Sequence, residues 1–139
     1  MFSEKLKTVY DIIFIIILAV LYNLSFSPFD FKFTIYLSLI GYFFLISDKE
    51  RKLAIKYSFI YGFFIYLIGV SWIFNSLYDY GGKNYILSSL MTLIFISILA
   101  SFFILIGYVF NKNVREYQKI ILPVYIASLW TFVEIIRSN

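Results

Sequence analysis

Gly69-Val70-Ser71-Trp72-Ile73-Phe74-Asn75-Ser76-Leu77-Tyr78-Asp79-Tyr80-Gly81-Gly82 decides how the chain is read, because here a long apolar segment turns polar and then breaks at paired glycines. Trp72, Asn75 and Asp79 are spaced three and four residues apart, which sets them on one face of a helix. If the flanking segments span a membrane, that face stands at a water boundary, where chemistry on lipids has to occur.

Composition favours the membrane. Of 139 residues, 62% are hydrophobic and 14% charged, and the mean hydropathy is +0.87. A water-soluble domain of this size cannot hide so much apolar surface. The net charge of +4 is carried by small basic clusters between apolar runs, a topology signal that argues against a nucleic-acid partner. Cysteine and histidine are both absent, which excludes disulfides, thiolate metal centres and a cysteine nucleophile, and removes the commonest metal ligand and near-neutral acid/base. Asp30, Asp79 and Glu134 are the carboxylates outside the terminal and basic clusters. We therefore assign no catalytic residue, no metal site and no cofactor. The abundance of Phe, Tyr, Ile, Lys and Asn is the bias an AT-rich genome produces, so single Phe and Tyr residues are discounted as functional signals.

The apolar runs predict an all-α membrane protein, one domain over 1–139, with five transmembrane helices near 10–26, 31–47, 53–77, 84–110 and 120–136. The first run is too long for a signal-peptide core, lacks a small-residue cleavage site, and is read as an uncleaved span. Pro28 stops it, with Asp30 completing the turn. Lys32 can snorkel from the start of the second span. Ser58, Gly62 and Gly69 give the third span a small-residue face, and Ser97 and Ser101 are placed to line a helix contact on the fourth. Pro123 falls in the first turn of the fifth.

Assigning Lys and Arg to alternate sides puts Lys5, Lys7, Lys49, Arg51, Lys52, Lys56, Lys112, Arg115 and Lys119 on one side and Lys32, Lys83 and Arg137 on the other. This bias predicts a cytoplasmic amino terminus and a periplasmic carboxy terminus. The Pro28 turn, the Trp72 to Gly82 stretch and the end of the fifth span then share the outer side. No span carries an Asp, Glu, Lys, Arg or His through its middle, which counts against pumps and ion-coupled transporters.

Three segments carry a family resemblance: Ser25-Phe26-Ser27-Pro28-Phe29-Asp30, then Gly69-x-x-Trp72 with Asp79-Tyr80-Gly81-Gly82, then Pro123 with Trp130-x-x-x-Glu134-x-x-Arg137. In their order and spacing they resemble the amino-terminal membrane domain of the apolipoprotein N-acyltransferases. The resemblance implies a multi-pass protein of the bacterial inner membrane. It also implies an activity that moves an acyl chain from a phospholipid to the amino-terminal diacylglyceryl-cysteine of a lipoprotein. Its partners would be membrane phospholipid, the lipoprotein substrate and a nitrilase-like domain carrying a Glu-Lys-Cys triad. This chain has no cysteine, so the thioester step cannot occur in it and the isolated chain is predicted inactive. The expectation is a fragment of a longer enzyme, or a membrane half whose catalytic half is missing or separately encoded.

The candidate platform residues are Trp72, Asn75, Asp79, Trp130, Glu134 and Arg137, with Pro28, Asp30, Gly81 and Gly82 as structural turn residues. Each has a plainer reading. Trp72 and Trp130 can be interface anchors rather than the flanks of a lipid portal. Glu134 and Arg137 can form an ordinary intrahelical pair, and Asn75 and Asp79 can cap a helix and open a turn. The alternative for the whole chain is a non-catalytic polytopic scaffold or assembly subunit. With small-residue faces left seeking partners, the isolated chain is expected to be loosely packed.

Overall fold

A computed structural model describes residues 2–110 and 122–138. Its regular structure is all helical: α1 (Phe2–Leu24), α2 (Phe33–Ser47), α3 (Arg51–Gly69), α4 (Ile73–Tyr80), α5 (Tyr85–Val109) and α6 (Leu122–Ser138). Three helical segments, Leu6–Leu24 of α1, Arg51–Gly69 and Tyr85–Val109, are long and apolar enough to cross a membrane, and α2 is a shorter apolar helix. The basic stretch with Lys112, Arg115 and Lys119 lies outside the described residues, as does the side chain of Lys5.

The third apolar run, expected as one span over 53–77, is two helices. Val70 leaves helical geometry at φ −121° and ψ 3°, and the chain restarts after Trp72 as the eight-residue α4. Hydropathy continues through this break, so composition alone conceals it. Gly82 takes a left-handed φ of 87° and Lys83 follows at 57°, which turns the chain into α5. Asn84 then caps α5, its side chain accepting from the Leu87 amide at 3.1 Å.

The core is built where α3 meets α5. Gly107 of α5 lies so close to α3 that a Cβ there would come within 2.5 Å of the Ala54 carbonyl oxygen and the Ser58 hydroxyl, while Gly62 of α3 faces the Phe103 ring. The small-residue face of the third span thus finds its partner within the chain at Ser58 and Gly62. Ser97 and Ser101 turn elsewhere: their hydroxyls bond the Leu93 and Ile98 carbonyls of their own helix, on a side of α5 uncovered among the described residues.

α1, α2 and α3 are joined through buried hydroxyls. Ser38 Oγ donates to the Leu18 carbonyl at 2.6 Å and accepts from Tyr61 Oη at 2.6 Å, and Tyr42 Oη donates to Ser58 Oγ at 2.7 Å. The Tyr42 and Tyr61 rings stack with centroids 4.2 Å apart. These tyrosines, discounted as filler, are fully buried and hydrogen-bonded, because a phenol in an apolar interior needs a partner for its hydroxyl. At the bundle end holding the start of α1, Asp11 accepts from Lys49 Nζ at 2.5 Å and from Tyr57 Oη at 2.9 Å.

Gly107→Leu is expected to separate α3 from α5 and destabilise the bundle by about 3 kcal/mol or more, at or above the usual cost of overpacking. Tyr61→Phe, which deletes only a hydroxyl, should cost nearer ~0.6–1 kcal/mol. Reversible unfolding in mixed detergent micelles ranks the two variants.

Candidate site: a cleft at one end of the bundle

The end of α1, the end of α3 and the end of α6 come together around a cleft of about 690 Å³. Its walls include Val20, Leu24, Ile65, Ile68 and Phe103, and its polar groups are Tyr22, Asn23, Tyr66, Glu134 and Arg137. Ser27, Pro28 and Phe29 close one side and Gly69 and Val70 another, so parts of all three sequence segments that carry the family resemblance meet here. A second hollow of about 650 Å³ between α2 and α6 is lined by residues such as Phe43, Phe44, Ile126 and Trp130 and includes no titratable side chain. The first cleft therefore has the chemistry to orient an amphiphile.

Asn23 ties the cleft together. Its side-chain amide donates to Ala19 O at 2.9 Å within α1 and to Ile65 O at 3.1 Å on α3, and its Oδ1 sits 2.6 Å from where a Cβ on Gly69 would be. A glycine is needed there for α3 to pass the amide so closely. Sequence reading missed Asn23, although a lone amide within an apolar run is a signal in itself. Beyond it the chain turns through hydrogen bonds from the Phe29 and Asp30 amides to Phe26 O at 3.1 and 3.0 Å and from Phe31 N to Leu24 O at 3.0 Å. Pro28 and Asp30 lie in this connection, with a cis Ser27–Pro28 peptide and Asp30 at φ 55°. The Asp30–Lys32 pair, 3.9 Å apart and well exposed, adds little.

α6 presents Trp130, Glu134 and Arg137 on one inward stripe. Trp130 was read as a lipid portal or interface anchor. One side of it packs against Tyr22, Phe43 and Phe103, with ring centroids 6.3, 6.4 and 5.6 Å away. It shares the stripe with the cleft residues and is partly buried, with part of its surface lining the hollow between α2 and α6. Glu134 and Arg137 form the intrahelical pair, with both Nε (3.1 Å) and Nη2 of the arginine on one carboxylate oxygen. The pair is about one third exposed, so it positions more than it stabilises. Arg137 also lies over the Tyr66 ring of α3, 5.9 Å from its centroid. Its guanidinium stays protonated, as arginine does in proteins.

Trp72, at the N-cap of α4, and Asn75 and Asp79 on it are exposed and do not line the cleft. The other side of α4 stacks on α5, with Phe74 5.2 Å and Tyr78 6.5 Å from the Tyr85 ring. Gly81 and Gly82 occupy the connection that follows. Among the described residues no group of acidic side chains is placed to hold a metal.

The fold and cleft define a helical membrane protein with an amphipathic site at one end of its bundle. Residues 18–139 match the family model described as "Apolipoprotein N-acyltransferase N-terminal domain". The chain is 31% identical over 136 residues to the apolipoprotein N-acyltransferase of Pasteurella multocida, covering 98% of this chain and 25% of that protein. It is 35% identical over 115 residues to that of Haemophilus ducreyi, covering 83% and 22%, and 30% identical over 117 residues to that of Pseudomonas syringae pv. tomato, covering 84% and 23%. The chain belongs to the apolipoprotein N-acyltransferase family, as its amino-terminal part, and spans about a quarter of the length of these curated relatives. No solved structure matches it.

Trp130→Ala should remove ring contacts that seat α6 and cost about 2–3 kcal/mol, below the range for a fully buried tryptophan because Trp130 is partly buried. Trp72→Ala, at an exposed position, should stay within about 0.5 kcal/mol. Thermal unfolding in detergent with far-UV circular dichroism as the readout separates the two.

Proposed function

We propose that this chain is the membrane-embedded part of an enzyme that transfers an acyl chain from a phospholipid to the amino-terminal diacylglyceryl-cysteine of lipoproteins. It would cross the bacterial inner membrane five times, through α1, α2, α3, α5 and α6, with its amino terminus cytoplasmic and the cleft at the periplasmic surface. The observation that carries the reading is the meeting of the Pro28 turn, Gly69 and the Glu134–Arg137 stripe around one cleft in a chain of this family. The charge pattern supports the orientation: Lys7, Lys49, Arg51, Lys52 and Lys56 sit at the end away from the cleft.

The cleft suits its task because its two chemistries are layered. Aliphatic walls from α1 and α3 can take acyl chains, while Asn23, Tyr66, Glu134 and Arg137 can hold the polar region of the lipid. Holding a lipid in this way fixes its ester for attack by a group carried elsewhere, so the gain is one of orientation. The nucleophile is not supplied here, because the chain contains no cysteine. A separate catalytic domain, nitrilase-like by the family resemblance, would work from the cleft side, and the exposed Trp72, Asn75 and Asp79 face of α4 is available to it.

Cells depleted of their own apolipoprotein N-acyltransferase should be rescued by the complete reading frame carrying this chain. Arg137→Ala in that frame should reduce rescue, and lipoproteins should accumulate in the diacylated form. Failure of the complete frame to rescue would instead support a non-catalytic scaffold or assembly subunit.

A further inference from the structure

The bundle end opposite the cleft carries exposed positive side chains to which the acyl-transfer reading gives no role beyond setting the orientation. α3 opens with Arg51, Lys52 and Lys56, all exposed, and none of its 19 residues is acidic. Asp48 and Glu50 stand in the connection before the helix, not on it. The cations at this end divide by their surroundings. Lys49 is held by Asp11, both side chains being only 24% and 20% exposed, and its charge is spent within the protein. Arg51 has no carboxylate partner among the described residues, and its guanidinium carbon is 5.0 Å from the centroid of the Tyr108 ring on α5.

That cation–π contact restrains the guanidinium in advance, which lowers the ordering cost of binding a phosphate. Both helices concerned are long and apolar enough to cross a membrane, so Arg51 near the start of α3 and Tyr108 near the end of α5 stand at a bilayer surface. Beside them Leu53 and Leu105 are exposed, each at 40%, so an apolar surface runs from the cations toward the hydrocarbon. A charged head joined to an apolar tail matches both features, whereas a soluble anion would use only the first.

We propose that Arg51, Lys52 and Lys56 bind the headgroup of an anionic phospholipid in the leaflet at this end. Arg51, positioned by Tyr108, takes the phosphate through its fork. Lys52 and Lys56, four residues apart, add their field while their stems lie along the helix. The proposal depends on membrane embedding and not on the acyl-transfer activity.

The test uses the delipidated full chain and native mass spectrometry, with phosphatidylglycerol or phosphatidylcholine of identical acyl chains as probes. Each cation near an anionic surface contributes roughly five-fold. Wild type should retain phosphatidylglycerol about tenfold or more over phosphatidylcholine, and the combined Arg51→Gln, Lys52→Gln and Lys56→Gln variant should lose that preference. Tyr108→Leu keeps every charge yet should weaken retention several-fold, while Tyr108→Phe keeps the ring and should retain the lipid. Lys32→Gln and Lys83→Gln, at the other end, should match wild type. Arg51→Lys, conservative at an exposed position, should lie between wild type and Arg51→Gln even if the triple variant fails to fold. Equal retention of the two lipids, a Tyr108→Leu variant indistinguishable from wild type, or displacement of the lipid by equimolar inorganic phosphate would overturn the proposal.

Discussion

Everything in this bundle depends on how closely α3 and α5 approach at Gly107. In a lipid environment apolar side chains gain little by leaving hydrocarbon for one another, so helix association rests on close packing and hydrogen bonds. Gly107 allows the α5 backbone to lie against Ala54 and Ser58. That approach sets Phe103 where it can meet Gly62, Tyr61, Tyr66 and Trp130. Through Trp130 the same contact seats α6, and α6 brings Glu134 and Arg137 to the cleft.

The buried hydroxyls provide the specificity that apolar packing lacks. Ser38, Tyr42, Ser58 and Tyr61 pair across α2 and α3, Ser38 also reaches the Leu18 carbonyl of α1, and no buried side-chain donor or acceptor is left unpaired among the described residues. Sliding one helix by a turn would break several of these bonds at once in a medium that offers no replacement. Asn23 plays the same part nearer the surface, where its amide sets the spacing of α1 and α3.

Much of the helical layout was legible because it follows from composition: long apolar runs bounded by charge, proline or paired glycine. The break after Gly69 was not, since Ile73, Phe74 and Leu77 continue the apolar pattern while the backbone turns to let α4 stack on Tyr85. The sequence motifs located the cleft more reliably than they described it. The contacts of Trp130 with Tyr22, Phe43 and Phe103 were not legible, because residue type alone does not reveal which rings from distant helices it meets. Asn23 and the paired tyrosines were passed over for the opposite reason, since their roles exist only between helices distant in sequence. Trp72, Asn75 and Asp79 share an exposed helical face, yet that face lies outside the cleft.

Three segments separated in sequence form one cleft at one end of the bundle. The chain contains no cysteine, so pairs can be introduced without background. In proteoliposomes carrying this chain, Ser27→Cys with Ile68→Cys and Ser27→Cys with Arg137→Cys should both react with a short bismaleimide, whereas Ser27→Cys with Lys52→Cys should not. If the Ser27–Arg137 pair failed to cross-link while the Ser27–Ile68 pair reacted, α6 would not close the cleft and the account would be contradicted.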